Sequence, residues 1–178
     1  MADGGMLAEL NHANLPNLGN INPKFAKNPL YKDMKYCVPY QWGSSGIGYN
    51  SEIFTPTQKS WSLIFKAKPG DPQYGRMTML DDVREAFSAA LIYLGYDVNT
   101  TDEKQLAEAR DLLIAAKPAL AGYDSDSNED TVASGENVLS HGWNGDYLIV
   151  QAVNPKVDYF VPEEGSVIWM DGICIPST

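Results

Sequence analysis

Three pairs of residues have the types and spacing that chemistry would need: Asp82 with Glu85, Trp143 with Asp146, and Trp169 with Asp171. Three residues apart on a helix, the carboxylates of Asp82 and Glu85 share one face near the first turn. Such a pair can hold a cation. By itself the spacing favours a helix cap, since an acid at the start with Glu three residues later satisfies orphan backbone amides. For Trp143 and Asp146 the residues alone favour an aromatic core residue and a helix cap. Trp169 and Asp171 stand two apart, which on a strand puts both on one face. An aromatic face attracts an ammonium group and covers an apolar spacer, while a carboxylate beside it accepts a charge-assisted hydrogen bond. These residue types suit an organic cation with more than one ammonium group. A neutral ligand would leave the carboxylates unpaired, and burying an unpaired carboxylate is costly enough to exclude it.

Other chemistries find less support. Asp82 and Glu85 sit side by side on one helical turn, whereas the paired carboxylates of a hydrolase must flank the substrate. The loop Asp124-Ser125-Asp126-Ser127-Asn128 opens like a calcium loop, but Glu129 stands where Gly is needed and Gly135 where a bidentate Glu is needed. It reads as a solvated, helix-capping loop. His12 and His141 lack a second His or a Cys at ligand spacing, so no metal is expected. Gly43-Ser44-Ser45-Gly46 is not a nucleophile elbow, and neither a P-loop nor a complete dinucleotide fingerprint is present. No cofactor and no enzymatic step are expected.

The elements that must position these residues follow from periodicity. Val83, Ala86, Phe87, Ala90, Leu91 and Leu94 recur at three- and four-residue spacing, predicting a helix over 82–93 that Gly95 stops. Leu106, Ala109, Leu113 and Ala116 predict a second over 102–116, with Thr101 and Asp102 as cap candidates and Pro118 just beyond its end. Further helical turns are expected at 7–10, 128–133 and 145–153. Strands are expected at 36–40, 46–50, 138–140, 158–161 and 166–169, the first two joined through the small residues Gly43, Ser44 and Ser45; residues 11–29 read as loop. Strands alternating with helices predict an α/β layered domain.

The 178 residues suit an adequate core, with 44% apolar and 20% charged residues. Thirteen basic against 23 acidic residues give a net charge near −10, which argues against a nucleic-acid partner and suits cations, or simply keeps the protein soluble. No apolar run approaches the ~20 residues of a membrane span, and Met1–Met6 lacks the charged and apolar regions of a signal peptide. Cys37 and Cys174 both lie in apolar, strand-like stretches; they are small buried hydrophobes unless their strands are neighbours, in which case they could pair.

The run Tyr36-Cys-Val-Pro-Tyr-Gln-Trp-Gly-Ser-Ser-Gly-Ile-Gly-Tyr-Asn50 resembles a segment of the bacterial spermidine/putrescine-binding solute-binding proteins. The resemblance continues through Asp81–Glu85, Leu94-Gly95-Tyr96, Asn99–Asp102, Tyr123–Asp126, Trp143–Asp146, Pro162–Gly165, Trp169-Met170-Asp171 and Ile175-Pro176. It implies a periplasmic-binding-protein-like (type II) α/β lobe, a mixed sheet flanked by helices, with a partial second lobe. Residues 1–46 would be a remnant of the first lobe, 47–170 the second lobe, and 171–178 a crossover strand returning to the first. It further implies that Asp82, Glu85, Asp146 and Asp171 meet the ligand's ammonium groups and that Trp143 and Trp169 line its methylene chain. An acid at Asp146 looks closer to the putrescine-binding members. The implied partners are a polyamine and a membrane ABC permease, the implied compartment the periplasm. On this reading the chain matches the middle half of a family member, and its missing counterpart would invite homodimerisation or domain swapping. The alternative is a stand-alone lobe put to an interaction role.

Overall fold

The computed structural model describes residues 2–177 as two compact units: a smaller one of residues 2–42 and 169–177, and a larger one of 43–168. The elements run α1 (Pro23–Ala26), β1 (Cys37–Asn50), α2 (Ser62–Phe65), β2 (Met77–Met79), α3 (Val83–Tyr93), α4 (Glu103–Ala116), β3 (Gly122–Tyr123), α5 (Asn128–Ser134), β4 (Leu139–Trp143), α6 (Asn144–Val153), β5 (Val157–Phe160) and β6 (Ile168–Cys174).

In the larger unit the strand order is β3-β2-β4-β1-β5. The β2 strand pairs in parallel with β3 and β4, while β1 is antiparallel to β4 and β5, so this is a mixed sheet flanked by helices. In register, Ser45 lies opposite Trp143 and Ile47 opposite His141. The core is built from Ile47, Trp61, Ile64, Met77, Met79, Leu91 and Leu139, against which α3 and α4 pack. Both helices begin as their sequences predict: Asp82 Oδ1 accepts from Glu85 N at 2.9 Å, and Asp102 Oδ1 accepts from Lys104 N at 2.8 Å and Gln105 N at 3.1 Å. Gly95, at φ +80°, takes the left-handed conformation that ends α3. A second cluster joins Val132, Tyr147 and Val157, with the Tyr147 hydroxyl donating to Asn128 Oδ1 at 2.8 Å. Gly48 makes room for that ring: a Cβ there would lie 1.9 Å from Tyr147 Cε1.

Three expectations are corrected. The expected strands at 36–40 and 46–50 are one uninterrupted strand, 37–50, because 41–45 also adopt extended backbone. Leu7–Leu10 is not helical. Leu7 bridges to Pro176, and the amides of Ala8 and Leu10 donate to Ile175 O at 2.9 Å and Lys35 O at 2.8 Å, which removes the donors a helix would use. The stretch 11–29 contains short helical turns, two of them held by Asn side chains: Asn11 Oδ1 accepts from Ala13 N and Asn22 Oδ1 from Lys24 N. The short α2, β2 and β3 had no periodic signal in the sequence.

In the smaller unit, β6 runs beside the first half of β1, and the ends of these strands are joined by a Cys37–Cys174 disulfide with a Cα–Cα distance of 4.4 Å. The strands are neighbours, the condition under which the two cysteines could pair. Tyr31 packs beneath β6: its hydroxyl donates to Met170 O at 3.0 Å, and its ring fills the space beside Gly172, where a Cβ would approach within 2.5 Å.

Candidate functional site

The candidate residues divide between the units, Asp82, Glu85, Trp143 and Asp146 in the larger and Trp169 and Asp171 in the smaller. The first turn of α3 separates the roles of its two acids. Asp82 is exposed and serves as the cap. Glu85 turns inward with 12% of its side chain exposed, and its Oε2 stands 3.7 Å from His141 Nε2. Burial acts to raise its carboxyl, but the polar groups of His141, Ser45 and Trp143 together hold it below the ordinary value of 4.5.

Trp143 ends β4 partly buried, opposite Ser45. The chain then turns directly into α6, and Asn144 Oδ1 ties the turn to β1 by accepting from Ser44 N at 3.0 Å. Asp146 is the third residue of α6 and makes no capping bond, which corrects the cap alternative for this residue. It is partly buried, and burial pushes its carboxyl above the ordinary value of 3.8. Glu129 on α5 is raised too, first by its own burial and then by the charges of Asp146, Asp130 and Asp124. Among the described residues, the acids paired to Lys or Arg within 4.0 Å are Glu9, Glu108, Asp111 and Glu52, and none belongs to this group. Glu85 interacts with Trp143, and Glu129 feels the charge of Asp146; all three acids are partly buried.

In the smaller unit, Trp169 and Asp171 occupy β6 two residues apart, as a common face requires. The Trp169 indole Nε1 is buried without an acceptor. Asp171 is exposed, and its Oδ2 accepts from Gln41 Nε2 on β1 at 3.1 Å. The phenol of Tyr31 is pushed up by burial and by the charge of Asp171.

The acidic loop resolves as a self-contained turn. Asp124 Oδ1 accepts from the amides of Asp126 and Ser127 at 2.9 and 3.0 Å, and Oδ2 from the Ser127 hydroxyl at 2.8 Å. Among the described residues no three His, Cys, Asp or Glu converge as metal ligands. The sequence reading did not count as candidates Ser45 and His141, which interact with Glu85, or Glu129, which feels the charge of Asp146. The signal for His141 was available: it lies two residues before Trp143, hence on the same face of any strand that contains both.

Comparison with known proteins matches the chain to a family of binding proteins. The model of the family described as bacterial extracellular solute-binding protein matches residues 1–178. The spermidine/putrescine-binding periplasmic protein of Salmonella typhimurium is 34% identical over 179 residues, covering 99% of this chain and 50% of the relative. A putrescine/cadaverine-binding protein of Pseudomonas aeruginosa is 33% identical, covering 96% of this chain and 51% of the relative. The crystal structure of the TpPotD lipoprotein of Treponema pallidum superposes with a TM-score of 0.86 at 32% identity, covering 99% of this chain and 56% of that one. The chain thus spans about half the length of the curated relatives it matches. With a family match along its whole length and a fold shared with a solved relative, the chain belongs to the bacterial extracellular solute-binding proteins.

Proposed function

We propose that this chain contributes ligand-holding parts of a polyamine-binding protein that serves ABC-transporter uptake, and that it captures its ligand without chemical conversion. The observation that carries the reading is that the larger unit holds Glu85, in contact with Trp143, and Asp146, whose charge reaches Glu129, all partly buried and without Lys or Arg partners among the described residues. A diammonium ligand supplies the missing charge and an apolar spacer for the indole. On this proposal Glu85 and Asp146 bind ammonium groups, Trp143 covers methylenes, and the exposed Asp82 adds negative potential while keeping its cap. Trp169 and Asp171 of the smaller unit act as an aromatic and acidic pair of the same kind. Residues 43–168 would form one lobe, and the smaller unit part of the other. The names of the relatives support polyamines as the ligand class and the periplasm as the compartment. The disulfide supports an oxidising compartment, where such bonds persist.

The test is titration calorimetry with putrescine and spermidine at low and physiological salt, beside Asp146→Asn and a Trp169→Ala, Asp171→Ala double variant. Saturable binding that weakens at least about tenfold in each variant is expected, the scale of one charge-assisted contact. Binding that survives both sets of changes, or that an uncharged diol of the same length matches, would sink the assignment.

A further inference from the structure

The larger unit also buries polar groups behind Glu85. His141 is fully buried on β4, and both of its ring nitrogens lack a hydrogen-bond partner, as do Glu85 Oε2 and Ser45 Oγ. The imidazole is held in place: Trp61 meets it edge-on at 5.1 Å between ring centroids, and Ile47 lies opposite it on β1. Glu85 Oε2 and His141 Nε2 therefore face each other at 3.7 Å in an interior where neither reaches water. That gap is within about 1 Å of an ordinary N–H···O bond, so a small rotation of the Glu85 side chain closes it. Around the pair stand Ser45 from β1, Trp143 from β4 and Tyr159 from β5. The Tyr159 phenol is pushed up to about 12, chiefly by burial and further by the charge of Glu85.

We propose that His141 is the positioning residue for Glu85, its Nε2–H anchoring Oε2 in the interior so that the accessible edge of the carboxylate is presented, ionised, to an ammonium group. One proton on Nε2 leaves Nδ1 as the acceptor. Without this donor, the buried carboxylate loses the counterpart that keeps it charged and fixed in one rotamer. The inference rests on the polyamine reading for the ligand's identity, and on the buried pair alone for the role of the imidazole.

Four variants decide it: His141→Leu, the donor-retaining His141→Gln, Glu85→Gln, and Glu85→Gln with His141→Leu, each checked for a folded core. In the ligand-free chain, the Glu85 carboxyl is titrated by carbon-detected NMR. It is expected below 4.5 in the parent chain, higher in His141→Leu, and back toward the parent in His141→Gln. Putrescine affinity is expected to fall about tenfold in His141→Leu and to stay within about threefold in His141→Gln, with no further loss from His141→Leu in the Glu85→Gln background. A Glu85 titration unmoved by His141→Leu overturns the proposal. So does a loss on His141→Leu that persists in full without the Glu85 charge, which would mark a packing role. If putrescine binds neither parent nor variants, the titration still decides the pairing, and only the polyamine reading falls.

Discussion

Reducing the Cys37–Cys174 bond should loosen the smaller unit while leaving the core of the larger one intact. The bond joins positions 137 residues apart, and in the chain-entropy picture closing so long a loop in the unfolded chain stabilises the fold by about 5 kcal/mol. That figure applies to global unfolding. While the larger unit remains folded it already holds the chain together at Gly43 and Ile168, and only the arms 37–42 and 169–174 are free to separate. For a loop of that length the same relation gives about 3 kcal/mol. Packing contributes less there. Among the described apolar residues of the smaller unit only Tyr31 is buried, and burying one such side chain stabilises by about 2 kcal/mol. Hydrogen exchange followed by mass spectrometry, with and without reductant and on a Cys37→Ser, Cys174→Ser variant, reads both effects. Protection of the amides in 38–42 and 169–173 should drop about a hundredfold, the equivalent of ~3 kcal/mol, while β2 and β4 exchange as before. The denaturant midpoint for global unfolding should fall as well. Arms whose exchange is unchanged by reduction would refute the reasoning, because strand pairing and Tyr31 alone would then hold the unit.

Acid should act on this fold in two opposite steps. The carboxyls of Asp146 and Glu129 are raised by burial, so the folded state binds protons more tightly than the unfolded chain, and stability rises as pH falls through their raised values. Glu85 is depressed below 4.5, so its contribution is present above that value and is lost as pH falls through its lowered one. Melting temperature against pH should therefore peak in the mildly acidic range; Asp146→Asn should flatten the limb above the peak and Glu85→Gln the limb below it, and a profile that both variants leave unchanged would contradict this assignment. Gly48→Ala places a Cβ 1.9 Å from the buried ring of Tyr147 and should destabilise by at least ~2 kcal/mol in urea unfolding, with a changed near-ultraviolet tyrosine signal; a neutral effect would mean that the ring has room to move.

Much of the larger unit was legible in the sequence because its signals are local. The α3 and α4 helices follow from an apolar repeat of three and four residues, and their starts from Asp82 and Asp102, whose side chains reach amides two or three residues away. The alternation of helices with strands likewise pointed to an α/β domain. The acids and indoles of the candidate site were visible as residue types at regular spacing.

Long-range contacts decided the rest. Leu7–Leu10 has a helix-like composition, but its amides are used by Lys35 and by Ile175, the latter 167 residues further on, and no local pattern encodes that competition. The continuity of β1 across its central glycines and serines comes from the strands that pair with it on either side. Three-residue β2 is too short for any period to show, and becomes a strand because β3 and β4 supply partners. The same holds for chemistry. By sequence alone Asp82 and Glu85 were one pair of acids and His141 an isolated histidine; packing α3 against the sheet left Asp82 as an exposed cap and buried Glu85 against the imidazole. Spacing along the chain determined which side chains share an element and a face. Which of them lose water, and which find a partner when they do, was set by how those elements pack, because desolvation and pairing depend on neighbours distant in sequence.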